Sequence, residues 1–186
     1  MNFNGSIVTA QVTDHNDTEV FAQHDGVTLA IDRSELAELP EVGSDVEGFA
    51  YENKQGQARL TTKVPTVGRD HYAFAKVVEV RKDLGVFVNI GLPDKDIVVS
   101  EDQLPEISRL WPQKGDQLMV ALTVDKKDRM WGNLADESII HAVANRAKPE
   151  QMNADVTATA YRLKMAGTRV LTDDFYLGFI HPSERD

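Results

Sequence analysis

The sequence predicts an all-β chain of tandem five-stranded barrels joined by a linker helix, and three observations predict it. Short runs rich in β-branched and aromatic residues recur at even intervals, each closed by Asp, Asn or Gly. The order of runs in residues 1–63 is repeated in 68–134, with a connector after the third run each time. A single stretch, 136–147, carries its apolar residues at helical spacing instead.

The elements follow in order. Residues 5–13, 18–23 and 27–32 ("GSIVTAQVT", "TEVFAQ", "VTLAID") are three strands, and "RSELAELP" is the connector. Residues 45–51 and 57–63 are joined by "ENKQG", a hairpin signal. Strands at 73–81, 85–91, 96–100, 117–124 and 129–134 repeat the scheme, with "SEDQLPEISRLWPQKGD" as the connector. Five short antiparallel strands with one interposed connector describe a small barrel. In "DESIIHAVANRA", Ile139, Ile140, Val143, Ala144 and Ala147 share a helix face, Asp136 caps it and Lys148-Pro149 ends it. Its apolar stripe is expected to pack between domains. New strands then begin at "VTATAYRLK", "TRVLTD" and "YLGFIHPS". The expected organisation is a first barrel at 1–63, a second at 68–134, a linker helix at 135–152 and an incomplete third repeat at 153–186.

Composition narrows the function. No cysteine is present, which excludes disulfides and thiolate metal sites and fits a reducing, cytoplasmic setting. No apolar run approaches a membrane span, and the amino terminus has no secretory signature. The net charge of −10 is uneven: −7 over residues 1–63, −1 over 64–134 and −2 over 135–186. A phosphate backbone is repelled by the first segment and tolerated by the others, so a nucleic-acid face is expected after residue 63. The five histidines are scattered, and no phosphate-cradling glycine loop or nucleophile elbow occurs, so neither an enzyme nor a cofactor is expected. Asp94 and Asp96, flanking Lys95, supply too few ligands for a metal.

The units align on a serine after the third strand: Ser34, Ser100 and Ser183, with Glu19, Gly85 and Gly167 lying 15, 15 and 16 residues earlier. The two glycines are expected at bulges that bend the strands closed. Leu84-Gly85-Val86-Phe87-Val88, Ile97 through Ser100-Glu101, Lys114-Gly115-Asp116 and Arg129 together resemble the RNA-binding repeat of bacterial ribosomal protein S-one. The third copy supplies Ala166-Gly167-Thr168-Arg169-Val170 and Gly178 through Glu184, and Arg59 through Lys63 match the closing strand in the first. With the "GLPDKD" turn and "LWPQKGD", the order of copies is similar to the conserved virulence factor B family.

That resemblance implies OB-fold barrels, three repeats with a winged-helix domain, and post-transcriptional control of virulence-factor expression through single-stranded RNA. This chain ends inside the third repeat and has no winged helix. Such barrels bind RNA through aromatic faces that stack on bases and basic groups that meet phosphates. The family aromatic of strand two corresponds to Phe21 and Phe87, but to Arg169 in the third copy; the histidine ending strand three survives as His181, with Asp32 and Val98 at the matching places. Phe87, Lys76, Lys82, Arg129, Arg169, Phe179, His181, Phe21 and Arg59 are therefore the candidate RNA contacts. Alternation in "GVFVNI" also permits Phe87 in a core, and single basic residues commonly serve only as solvated surface. The alternative function is a protein-interaction scaffold, which the acidic first copy favours for that copy. Deleting residues 1–63 is then expected to cost little RNA affinity. The third unit has three of five strands before Asp186, as in a piece of a longer protein. It is expected either to be poorly ordered or to self-associate with a neighbouring copy through its open strand edge.

Overall fold

The computed structural model describes residues 1–145 and 154–184. β1 (Ser6–His15), β2 (Glu19–His24), β3 (Val27–Asp32), β4 (Asp45–Glu52) and β5 (Ala58–Thr61) form a closed barrel in the order β1-β2-β3-β5-β4. β6 (Ala73–Arg81), β7 (Gly85–Asn89), β8 (Ile97–Ser100), β9 (Gln117–Val124) and β10 (Met130–Leu134) close a second barrel in the equivalent order. The helix α1 (Glu137–Val143) follows, then a sheet of β11 (Ala158–Lys164), β12 (Gly167–Thr172) and β13 (Leu177–Ile180). The expected end of the helix at Lys148 and Pro149 lies outside the described residues.

Alternation fills each barrel. Val8, Ala10, Val12, Val20, Ala22, Leu29 and Ile31 point into the first, and Val77, Val86, Val88, Ile97 and Val99 into the second, while the residues between them face outward. Each buried aliphatic side chain contributes roughly 1.5–3 kcal/mol relative to exposure. One bulge recurs in the first strand of every unit: the register slips between Val12 and Asp14, Val77 and Glu79, and Ala160 and Arg162. It lets the strand turn from one neighbour to the other, as when β1 pairs with β4 through its first half and with β2 through its second.

The bulges are thus opposite strand two and not at Gly85 and Gly167, as the sequence suggested. The glycines answer a different constraint. Gly85 has φ of 138°, and a Cβ there would lie 2.0 Å from the Val99 carbonyl oxygen, where the chain leaving β8 closes over it.

The serine alignment is corrected as well. Glu19 pairs with Asp32 and Gly85 with Ser100, while Gly167 and His181 lie one step beyond the Thr168–Ile180 pair. The equivalent residues are Asp32, Ser100 and His181, and each caps a short 3₁₀ turn by accepting the N–H two residues on: Ser34 at 2.9 Å, Asp102 at 3.4 Å and Ser183 at 3.2 Å. Val98 is therefore not the counterpart of His181. Equal spacing misled because the β2–β3, β7–β8 and β12–β13 loops differ in length.

The fourth strand of each barrel is buried on both faces. In β4, Ala50 lies in the first core, while Phe49 and Tyr51 belong to the core of the second barrel. Tyr51 donates to Asp94 Oδ1 at 2.6 Å, Asn53 to Asp94 Oδ2 at 3.1 Å, and Lys54 pairs with Asp96 at 3.0 Å. Burial, reinforced by the Asp94 carboxylate, pushes the Tyr51 phenol well above its ordinary range. In β9, Leu118, Val120 and Leu122 fill the second barrel, while Met119 turns outward to join Ala135, Ile140, Tyr161 and Leu171. The helix stripe packs between domains, as expected. The third sheet differs from expectation: it is neither loose nor dependent on another chain for this core, because α1 and the outside of β9 supply the apolar partners.

Two outcomes follow. Phe49→Ala should cost about 3–5 kcal/mol. Both tryptophans, Trp111 and Trp131, lie in the second barrel's residues, so the loss should shift their fluorescence transition in urea. A tryptophan transition identical to wild type would mean that the barrels have separate cores. Gly85→Ala should lower stability by at least about 3 kcal/mol, measured the same way, because the added carbon meets backbone.

Candidate nucleic-acid interface

The outer face of the second barrel collects the most aromatic surface. Phe87 stands between Val86 and Val88, both fully buried, so its half-exposed ring points outward and not into the core. It pairs with Glu79 on β6 and Val98 on β8. Gly132 on β10 pairs with Val99, which sets the preceding residue, Trp131, beside Val98. Trp131 is half-buried between the buried Met130 and Gly132, so it shares this outer face. The strands thus carry Trp131, Val98 and Phe87 in adjoining register, an apolar band with an aromatic at each end.

Basic groups border the band. The Arg129 guanidinium lies 5.6 Å from the Trp131 ring centroid, within cation–π range. Its Nε donates to Asp125 Oδ2 at 2.8 Å, and the Trp131 indole donates to the same oxygen at 3.1 Å. The Arg129 backbone N–H, with these side-chain donors, holds the Asp125 carboxyl well below the usual carboxylate range. Lys76 is exposed on β6 opposite Asn89, on the same face as Phe87. Lys82 is exposed in the β6–β7 turn and borders a cleft with Trp111 and Lys114.

The first barrel offers less. Phe21 also faces outward, between Val20 and Ala22, but its strand neighbours are Asp14 and Ala30. Arg59 pairs with Ala30 across the barrel, and its guanidinium is held by Glu19. That ion pair, largely shielded from solvent on the Arg59 side, removes the arginine from phosphate duty. By register the second-barrel counterpart of Arg59 is Trp131, with Arg129 two residues earlier. Sequence reasoning missed Trp131. The signal was present in "RMWGNL", where the alternation that buries Met130 turns its neighbour outward.

In the third unit, Arg169 takes the place of Phe87 and pairs with Arg162 on β11 and Phe179 on β13. Both arginines are bound by Glu137 of α1. Phe179 is 55% exposed. His181 is exposed, and its Nδ1 lies 2.8 Å from Ser183 Oγ, a local capping arrangement. The structure thus brings Phe87, Lys76 and Arg129 to one barrel and sets Arg169 and Phe179 together, while Phe21 and Arg59 sit apart on the first barrel. Among the described residues no group of three His, Asp or Glu side chains converges as a metal site, and no helix is long and apolar enough to cross a membrane.

Comparison with known proteins agrees with this architecture. Residues 4–63 match the S1 domain, 72–133 the CvfB first S1-like domain, and 140–186 the second domain of virulence regulatory factor CvfB. A crystal structure of a multidomain protein with nucleic acid binding domains from Streptococcus pneumoniae TIGR4 superposes with a TM-score of 0.89 at 46% identity, over 100% of this chain and 65% of that one. The uncharacterized protein YitL of Bacillus subtilis is 38% identical over 97% of this chain and 60% of its own length. Conserved virulence factor B of Staphylococcus epidermidis is 35% identical over 85% of this chain and 53% of its own. The chain thus spans little more than half the length of the curated relatives it matches. The two domain models of one family together cover more than half of this chain, in the order that the barrel and the docked sheet occupy, and the chain belongs to the conserved virulence factor B family.

Proposed function

We propose that this chain is an RNA-binding regulatory module that takes single-stranded RNA on the outer face of the second barrel, in post-transcriptional control of gene expression. The observation that carries the reading is the pairing of Phe87 and Trp131 on one open face with Arg129 beside them. Unpaired bases stack on such rings, and each stack is worth roughly 1–3 kcal/mol. Lys76, Lys82 and Arg129 then meet the backbone, which tolerates this nearly neutral segment. A division at 1–63, 68–134, 135–152 and 153–186 belongs to the same proposal, as does a cytoplasmic setting. The locked Arg59 and the net charge of −7 over residues 1–63 favour a protein-contact role for the first barrel. Self-association through the edge of the third sheet is a further expectation, checked by mass against concentration.

Single-stranded RNA should bind more tightly than duplex RNA, with affinity falling as salt rises. Phe87→Ala and Trp131→Ala should each weaken binding about tenfold with little loss of stability, since both rings face outward. Equal binding by wild type and both variants would remove the stacking assignment; a loss of several kcal/mol in stability would make either ring a core residue. Deleting residues 1–63 no longer isolates the first barrel, because Phe49 and Tyr51 help fill the second core. Phe21→Ala tests it in place and should change RNA affinity less than twofold by the same titration, since exposed substitutions away from a binding face are nearly neutral.

A further inference from the structure

Arg162 and Arg169 face each other across β11 and β12, an arrangement of like charges that destabilises a sheet unless an anion lies between them. The anion is supplied from outside the sheet. Glu137 Oε1 accepts from Arg162 Nη1 at 3.0 Å, and Glu137 Oε2 is held by Arg169 Nη1. One carboxylate therefore bridges two guanidinium groups, each oxygen serving one fork. The two non-bridging oxygens of a phosphodiester present the same charge-assisted acceptors to a pair of arginines.

We propose that Glu137 stands in for an RNA phosphate, so that the linker helix holds the outer face of the third unit closed until RNA displaces it. This rests on the RNA-binding reading of the second barrel and adds its regulation by a neighbouring element. Three features support exchange. Side-chain exposure of Arg162, Arg169 and Glu137 is 27%, 32% and 29%, so an anion from solvent reaches all three. Glu137 opens a helix of seven residues, which does not hold its shape alone and depends on the Asp136 cap and buried Ile140. The third is an exposed aromatic beside the arginines. Phe179 pairs with Arg169, and its ring lies over Gly167, where a Cβ would come within 2.3 Å of Phe179 Cζ. With His141, Tyr161 and Arg169 it borders a shallow cleft of about 390 Å³. A base stacked on Phe179 places its own phosphate in competition with Glu137 for the same two forks.

The test is a titration of the whole chain with a single-stranded uridine oligonucleotide at two salt concentrations. Glu137→Gln keeps the size of the side chain and removes its charge. It should tighten binding about fivefold, the worth of releasing partly exposed ion pairs, and steepen the salt dependence by about one phosphate contact. Adding Phe179→Ala to that variant should abolish the gain. Affinity equal to or below wild type in Glu137→Gln, while Phe87→Ala still weakens binding, overturns the clamp and leaves the second-barrel reading intact. No RNA binding by wild type removes both. Should Glu137→Gln loosen the third sheet in amide exchange, wild type decides through photo-crosslinking to 4-thiouridine RNA. Crosslinks within residues 161–180 support the clamp, and crosslinks confined to 74–131 overturn it.

Discussion

Burial of the fourth strand on both faces is the constraint from which the rest of this structure follows. A barrel strand normally divides its side chains between lumen and solvent. Here β4 and β9 have no solvent side over much of their length, because each presents its outer residues to the next unit. Phe49 and Tyr51 enter the second core, and Met119 enters the cluster formed with α1 and the third sheet. Apolar area removed from water is the dominant favourable term, so the units behave as a stacked series and not as barrels on a string. The Asp94 contacts then fix the angle, since a buried hydroxyl and amide must find acceptors.

Stacking also decides which faces stay open. The second barrel is covered at β9 on one side and by Phe49 and Tyr51 on another, yet Phe87 and Trp131 remain partly exposed on β7 and β10. The corresponding position in the third unit, Arg169, faces α1 instead. The same local fold thus yields an open aromatic band in one copy and an ion-paired surface in another. The arginines at or near this face show a common pattern: Arg59 with Glu19, Arg129 with Asp125, and Arg162 and Arg169 with Glu137. An internal carboxylate at each keeps the basic charge from acting freely on a distant phosphate, which accords with a chain carrying a net charge of −10. Selectivity for single strands then falls on the rings, which need unpaired bases.

Much of the site was legible residue by residue. Val86-Phe87-Val88 states its own geometry, because a period of two leaves the middle ring on the opposite face from its neighbours. The same rule, applied to Met130-Trp131-Gly132, would have found Trp131; attention to basic residues led to Arg129 instead. Asp32, Ser100 and His181 share no residue type, so a serine aligned by equal spacing was the visible signal and the shared capping role was hidden. Only strand pairing, with hairpin loops of unequal length, reveals their equivalence.

The sequence by itself determined the strands, the barrels and the helix start, because each rests on local preferences: alternation for faces, turn residues for hairpins, and Asp136 for the cap. Even the double burial of β4 and β9 is written in the unbroken runs "FAY" and "LMVAL". What covers those runs is not. That Tyr51 meets Asp94, or that Glu137 meets both Arg162 and Arg169, depends on residues 25 to 43 positions apart arriving at one point. Charge and hydroxyl groups carry no address in sequence. Tertiary structure alone decided which arginine is neutralised, which ring is left open and why three related units offer three different surfaces.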